Sequence, residues 1–247
     1  MYILIGNYGN ETVALLQWVI EQSLTPCRLV SVDTQWAAHD WLMRVMQIQH
    51  YARRHEVMVE VLTAGKGFAH WVAQKKEFPT RKFQWCAGIL KGLPLNAWLD
   101  DIDPLGQATI LMGKLKVGAR AYQRLSAVIE ESEHFGDRKL WFPLFEHSVA
   151  ERDQLIERAG FPLLKHRSLE CEPCIHATKT ELANLAAEDI QKTVRLEALI
   201  QQPMFTFAKS QGIQAVVQWA QQAADESIDQ SMEAFTMGCG SPWGCGE

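Results

Sequence analysis

Apolar residues in the first half of the chain fall into short solid runs separated by stretches with helical spacing. The run "MYILIG" stops at Gly6, and "TVALLQWVIEQS" then sets its apolar residues along one helix face. The unit repeats: "CRLVSVDT" reads as a second buried strand, a helix follows from about Trp36 to Arg54, and "EVMVEVLT" reads as a third strand. "ATILMGKL" and "KLWFPLF" have the composition of two more strands, with the basic stretch "ARAYQRLSAVIEESE" between them reading as helix and the sheet ending near Phe145. Solid apolar strands alternating with helices predict an α/β fold: an open, mainly parallel sheet with helices on both faces and right-handed crossovers.

From Ser148 onward the periodicity is helical, through "VAERDQLIERAGF", "TKTELANLAAEDIQKTVRLEALIQQ" and "IQAVVQWAQQAADESIDQ". Residues 1–147 are expected to form the α/β domain, and residues 148–247 a helical C-terminal region packed on it that ends in a cysteine-bearing tail. Gly and Pro cluster only in the last ten residues, so no flexible linker is expected between the two.

Composition narrows the class. With 247 residues, 47% hydrophobic content and a net charge of −5, the chain can bury a large core. No apolar run approaches the roughly 20 residues a bilayer span requires, and the N-terminus lacks a basic region and a small-residue cleavage site. A cytoplasmic protein without membrane contact is expected. In that reducing setting cysteines serve as ligands, nucleophiles or core residues more often than as disulfides. The acidic balance argues against indiscriminate coating of nucleic acid, although Lys75, Lys76, Arg81, Lys82 and Lys91 form a local basic patch. A solvated face accounts for that patch more simply than a nucleic-acid groove does.

Two stretches carry candidate chemistry. "GNYGNET" follows the first strand, where backbone N–H groups and a helix N-terminus commonly meet phosphate. Gly6 and Gly9 permit close backbone approach, and Asn10 and Thr12 add neutral donors. Turn geometry alone explains the glycines equally well, and neither the Rossmann nor the Walker A pattern is matched. The second stretch is "CEPC", where Cys171 and Cys174 meet the N-terminus of a helix starting near Ala177. That spacing suits two thiolates on one metal or cluster; a redox dithiol is the competing reading. Cys86, beside Trp85, adds a third thiol, and the tail "GCGSPWGCGE" supplies Cys239 and Cys245, either of which completes the four that a [4Fe–4S] cluster or a structural zinc needs. Cys27 reads as a small buried hydrophobe.

Together these segments resemble the phosphoadenosine phosphosulfate reductase family, within the adenine nucleotide α-hydrolase-like group that includes ATP pyrophosphatases, over most of residues 1–185. "GNYGNETVALLQW" is similar to the family's phosphate loop in its reductase-type form, with Tyr8 before Gly9. It departs from the S-G-G-K-D-S form at Asn7 and Asn10, where a serine and a lysine would stand. "SVDT" resembles the second-strand motif, which implies that Asp33 and Thr34 lie near the nucleotide. "WCAGILKGLPLNAWL" is similar to the iron–sulfur branch's C-C-x-x-x-K-x-x-P-L, with Trp85 in place of the first cysteine. "KVGARAYQR" is similar to its G-x-R-A segment, which places Arg120, and with it Arg124, near a phosphate or sulfate. "CEPCIHATKTEL" resembles its second cysteine pair.

The resemblance implies a [4Fe–4S] cluster on Cys86, Cys171, Cys174 and one tail thiol. Cys245 is taken as that ligand and Cys239 as the catalytic thiol, although "MGCGSPWGC" departs from the reductases' E-C-G-[IL]-H tail. It also implies an adenine nucleotide, ATP or of the adenylyl sulfate type, held by Gly6, Asn7, Tyr8, Gly9, Asn10, Thr12, Asp33 and Arg120. The expected function is ATP-dependent sulfur transfer that thiolates DNA or tRNA, with a cysteine desulfurase or thioredoxin-like protein as sulfur donor. One alternative is an adenylyl sulfate or phosphoadenylyl sulfate reductase with a tail cysteine as nucleophile. Another is a non-catalytic nucleotide-binding subunit.

Other features add less. His39, His70, His147 and His166 are scattered and read as surface or structural residues. The nine tryptophans read mostly as core or tail packing, with Trp36 and Trp41, near the second strand, as candidates to flank an adenine. "DDID" at 100–103 reads as a solvated loop, with Mg²⁺ a candidate ligand there.

Overall fold

A computed structural model describes residues 1–116, 126–207, 210–222 and 242–243. Its strands are β1 (Tyr2–Ile5), β2 (Cys27–Asp33), β3 (Met58–Thr63), β4 (Thr109–Leu111), β5 (Val128–Ser132), β6 (Arg138–Trp141), β7 (Thr206–Phe207) and β8 (Ser210–Gln211). Its α-helices are α1 (Asn10–Glu21), α2 (Trp41–Arg54), α3 (Phe68–Lys75), α4 (Trp85–Ala87), α5 (Leu93–Ile102), α6 (Val149–Arg158), α7 (Lys179–Ala183), α8 (Ala187–Ile200) and α9 (Ile213–Gln221).

The solid apolar composition of β1 follows from its place in the middle of the sheet. Leu4 enters a layer with Val13, Leu16, Ile48 and Ile156 of α1, α2 and α6, while Ile3 and Ile5 enter the opposite layer with Leu95 and Leu99 of α5. Leu29 and Val30 of β2 divide in the same way, as do Leu111 and Ile110 of β4. The sheet has six strands in the order β3-β2-β1-β4-β6-β5; the first five are parallel, and β5 pairs antiparallel to β6 at the edge. This is the expected α/β architecture with a mainly parallel open sheet. From β1 the chain moves outward to β2 and β3, then returns to β4 on the other side. The carboxyl ends of β1 and β4 therefore flank the switch point where such sheets form a ligand crevice.

A third core cluster lies beyond that sheet end. Trp36, Phe68, Val72 and Trp85 pack there against Ile175, Leu182, Leu196 and Val216, joining α3 and α4 to α7, α8 and α9. Two helices after the sheet, α6 and α7, start with reciprocal caps. Ser148 accepts the Glu151 N–H at 3.2 Å and Thr178 accepts the Glu181 N–H at 3.2 Å, while each glutamate takes the cap residue's own N–H at 2.7 Å.

Several expectations require correction. The helix after β2 begins at Trp41 rather than near Trp36, because Trp36 forms a parallel bridge with Cys171. The stretch expected as helix before "KLWFPLF" contains β5, whose polar positions suit an edge strand. Residues 85–102 form one helical run with a π-turn at Gly88–Gly92 between α4 and α5. The acidic stretch 100–103 is not a solvated loop throughout: it ends α5, and Asp103 is buried. Among the described residues no helix is long and apolar enough to cross a membrane.

Candidate functional site

The loop after β1 is built by its own side chains. A Cβ on Gly6 would lie 2.5 Å from Thr12 Cγ2, so only glycine lets the first turn of α1 close over the strand end. The Asn7 N–H donates to Thr12 Oγ1 at 2.9 Å, the Thr12 hydroxyl donates to Asn7 Oδ1 at 3.1 Å, and the Gly9 N–H donates to the same oxygen at 2.9 Å. Tyr8 takes a left-handed conformation with φ of 63° and sends its ring into the core. Its hydroxyl meets Ser31 Oγ at 2.7 Å and accepts from Gln49 Nε2 at 2.9 Å; burial raises its pKa above the ordinary value. Arg44 Nε donates to the Tyr8 carbonyl at 2.8 Å. The N–H groups of Asn7 and Gly9 thus already donate within the loop. Thr12→Val leaves the buried Asn7 N–H without its acceptor and is expected to cost about 1 to 3 kcal/mol, read by urea unfolding.

The other side of the site comes from residues 162–176, which return to the carboxyl ends of β1 and β2. Ser168 Oγ donates to the Asn7 carbonyl at 2.8 Å, and Asn10 exchanges two hydrogen bonds with the Leu164 backbone at 2.9 and 3.0 Å. Residues 169–172 then run alongside residues 34–38: Ala38 N–H donates to Leu169 O at 2.9 Å, Glu172 N–H donates to Trp36 O at 2.8 Å, and Thr34 Oγ1 donates to Glu170 O at 2.7 Å. Cys171 Sγ lies 3.6 Å from Thr34 Oγ1, and the His176 N–H points to Cys174 Sγ at 3.5 Å.

Cys86, Cys171 and Cys174 all pack, partly buried, against the third core cluster. Burial pushes the Cys171 thiol well above its ordinary pKa, and the neighbouring Cys174 and Cys86 push it further. Aromatic rings border them: Trp36 lies 5.0 Å from Phe68, and Phe68 stacks on Trp85 at 6.0 Å. Among the described residues, no three His, Cys, Asp or Glu side chains stand close enough to hold a single metal ion. Cys27 sits in the main core, where burial raises its pKa to about 11.

The other sequence candidates separate clearly. Asp33 is exposed at the end of β2 and accepts the Gln35 N–H at 2.8 Å. Lys91 does not belong to the exposed basic patch; it is buried on the π-turn and ion-paired with Glu170. Trp36 and Trp41 are both buried, and Trp36 is covered by Phe68 and by the Lys192 ammonium at 4.7 Å. Arg120, Arg124, Cys239 and Cys245 lie outside the described residues.

A cleft of about 1040 Å³ is lined by Arg81, Arg152, Lys165, His166 and Lys179 together with Glu11, Asp40 and Asp189, and Arg152 is ion-paired with Glu11. At its floor Arg167 grips Glu181 through two hydrogen bonds of 2.8 and 2.7 Å. Burial, with Glu181 and Asp189 nearby, raises the Glu172 pKa to about 8, so this carboxyl holds its proton at neutral pH. Burial, with Arg81 and Arg167 nearby, lowers His176 to about 4 and keeps its ring neutral. Sequence reading missed both residues, since only the fold buries them beside charges distant in sequence.

No protein-family model and no curated protein matches the chain. Among solved structures, phosphoadenylyl-sulfate (PAPS) reductase from Candida auris in its phosphate complex is similar, with 14% identity and a TM-score of 0.48 over 66% of this chain and 74% of that one. Candida glabrata FMN adenylyltransferase in complex with ATP is similar with 11% identity and a TM-score of 0.45, over 95% of this chain and 71% of that one. In complex with FMN and an ATP analog the same enzyme shows 14% identity and a TM-score of 0.43, and this chain spans 49% of its length. At these identities the likeness is one of outline and assigns no residue a role.

Proposed function

We propose that the chain is an adenine-nucleotide-binding enzyme of sulfur chemistry that carries a [4Fe–4S] cluster and transfers sulfur to nucleic acid in an ATP-dependent reaction. The observation that supports this best is the pairing of residues 169–172 with 34–38. It brings the C-x-x-C thiols to the sheet end that carries the Gly6–Thr12 loop, and only three residues, about 10 Å of extended chain, separate Cys171 from the Ser168 contact to that loop.

A four-iron cluster takes one thiolate per iron, and Cys86, Cys171 and Cys174, whose charges oppose one another, supply three of the four. In this reading Cys86, Cys171, Cys174 and Cys245 hold the cluster, which when bound supplies a cationic, sulfur-bearing centre. Asp33 accepts a ribose hydroxyl, and Arg120 with the start of α1 neutralises phosphate. Lys165 and Lys179 at the cleft meet the acceptor's phosphates, Cys239 is the reactive thiol, and a cysteine desulfurase or thioredoxin-like protein supplies sulfur.

Anaerobic purification with iron and sulfide analysis tests the first half, with roughly four of each per chain expected. A colourless zinc protein would sink it. ATP-dependent transfer of labelled sulfur to tRNA or DNA tests the second half; sulfite release from adenylyl sulfate with thioredoxin would assign the reductase reaction instead. A second reading is favoured by the loop itself, whose Asn7 and Gly9 N–H groups are already engaged. It is a subunit that binds nucleotide without turning it over, distinguished by calorimetric binding with no product formed.

A further inference from the structure

Arg44 is a buried cation without an anion. It lies on the inner face of α2, 8% exposed, and among the described residues no carboxylate pairs with it. Its Nε donates to the Tyr8 carbonyl at 2.8 Å and its Nη1 to the Pro162 carbonyl at 3.3 Å; the Trp41 ring lies 5.9 Å from its Cζ. Its Nη2 is buried with no partner, and burial lowers its pKa with no neighbouring charge to oppose the shift. A guanidinium taken out of water is costly unless an anion answers it. The loop that Arg44 holds has the opposite deficiency. Residues 6–12, "GNYGNET", contain no lysine or arginine, yet the N–H groups that open α1 have no acceptor within the helix, and no side chain caps them. The two acids nearby are already answered: Glu11 pairs with Arg152 and Glu170 with Lys91.

We propose that Arg44 supplies, from behind, the positive charge that the loop after β1 lacks, and that its missing anion is a phosphate group resting on the start of α1. Arg44 is a positioning residue, acting through the loop rather than by contact with the ligand. It has two effects. In a trans peptide the C=O and the following N–H point opposite ways, so the grip on the Tyr8 carbonyl turns that oxygen inward at a residue whose φ is 63°. Released, the peptide is free to turn its oxygen against an incoming phosphate. The guanidinium also stands only one hydrogen bond and about one peptide unit behind the backbone that the anion would meet, within roughly 8 Å of it. At an effective dielectric of about 20, a unit charge at that range is worth more than roughly tenfold in affinity. The charge assignment stands on these contacts; that the phosphate belongs to an adenine nucleotide rests on the function proposed above.

The test is calorimetric binding of ATP, inorganic pyrophosphate and adenosine to the full chain. Arg44→Gln is expected to weaken ATP and pyrophosphate at least about tenfold while leaving the uncharged adenosine within about twofold of wild type. Arg44→Lys, which keeps the charge and gives up the planar fork, is expected to stay within about threefold of wild type for all three. Equal losses for adenosine and ATP would mean that Arg44 only holds the fold together, and an unchanged affinity for both anions would mean that its charge is not felt; either overturns the proposal. A tenfold loss of pyrophosphate in Arg44→Lys overturns it as well, so that variant carries the test even where Arg44→Gln fails to fold. The two ideas fail separately. Wild-type protein that binds pyrophosphate but neither ATP nor adenosine removes the nucleotide and upholds the charge role, whereas wild-type protein that binds neither anion removes both.

Discussion

Cys171→Ser purified without oxygen will retain less than a tenth of the wild-type iron, and Cys27→Ser will retain all of it. The contrast follows from where the two thiols sit. Cys27 lies in a neutral core and feels no other sulfur, whereas Cys171 is partly buried with Cys174 and Cys86 close enough to oppose its ionisation. Thiolates that repel one another in a poorly solvated place persist only around a cationic centre, so removing one removes much of what binds it. Loss of a hydrogen-bond partner behind a ligand commonly costs 10- to 100-fold in metal affinity, and loss of a ligand costs more. Thr34→Val is the graded control. Its hydroxyl lies 3.6 Å from Cys171 Sγ and donates to Glu170 O at 2.7 Å, so its loss is expected to weaken retention roughly tenfold without abolishing it. Equal iron in Cys171→Ser and wild type would remove the cluster from this site.

The second large effect is on stability. Arg138→Met is expected to lower the unfolding free energy by about 3 to 5 kcal/mol at neutral pH, as chemical denaturation will report. Arg138 is 3% exposed; its Nε donates to Asp103 Oδ2 at 2.9 Å, and its remaining N–H groups donate to the carbonyls of Leu99, Asp103 and Phe135 at 3.0, 2.6 and 3.0 Å. One guanidinium thus joins the end of α5 to β6 and the turn before it. Methionine would leave Asp103 buried without its cation and three carbonyls without a donor. Burial alone would raise the Asp103 pKa, but the N–H groups of Ala108 and Gln107 and the Arg138 guanidinium pull it below the ordinary value. A lowered carboxylate pKa contributes stability that is present above the unfolded value near 4 and is lost as pH falls through the folded one. In Arg138→Met the Asp103 carboxyl protonates more readily, so the deficit should be full at pH 7 and shrink below about pH 4. A deficit independent of pH would mean that Asp103 is not the group left stranded.

The sheet could be read in advance because its central strands, β1 above all, are covered on both faces and so are apolar at successive positions. β5 could not, because an edge strand with two adjacent glutamates and a basic lead-in has the composition of a surface helix. The C-x-x-C and the glycine loop were legible as residue types at fixed spacing. Their juxtaposition was not, since it depends on hydrogen bonds such as Thr34 to Glu170 and Ser168 to Asn7, which link residues 136 and 161 apart. Nor does charge reveal its own depth in a sequence. Lys91 looked like one more surface cation and Asp103 like part of a solvated acidic run, yet each is buried against a partner from a distant segment. Gly92 read as a turn residue would have been misplaced; its partner is an indole in the tail.

The run of residues 169–172 beside 34–38 also dictates when the site can come into being during synthesis. A nascent chain released only as far as α6 has every strand of the main sheet available, yet lacks the segment that lies against Thr34 and Trp36. The sheet can therefore consolidate on the ribosome while this edge stays bare, and Cys171 and Cys174 join Cys86 only after roughly the first 70% of the chain has emerged. A ribosome stalled before residue 171 would carry a folded sheet whose edge at Thr34 and Trp36 is still uncovered.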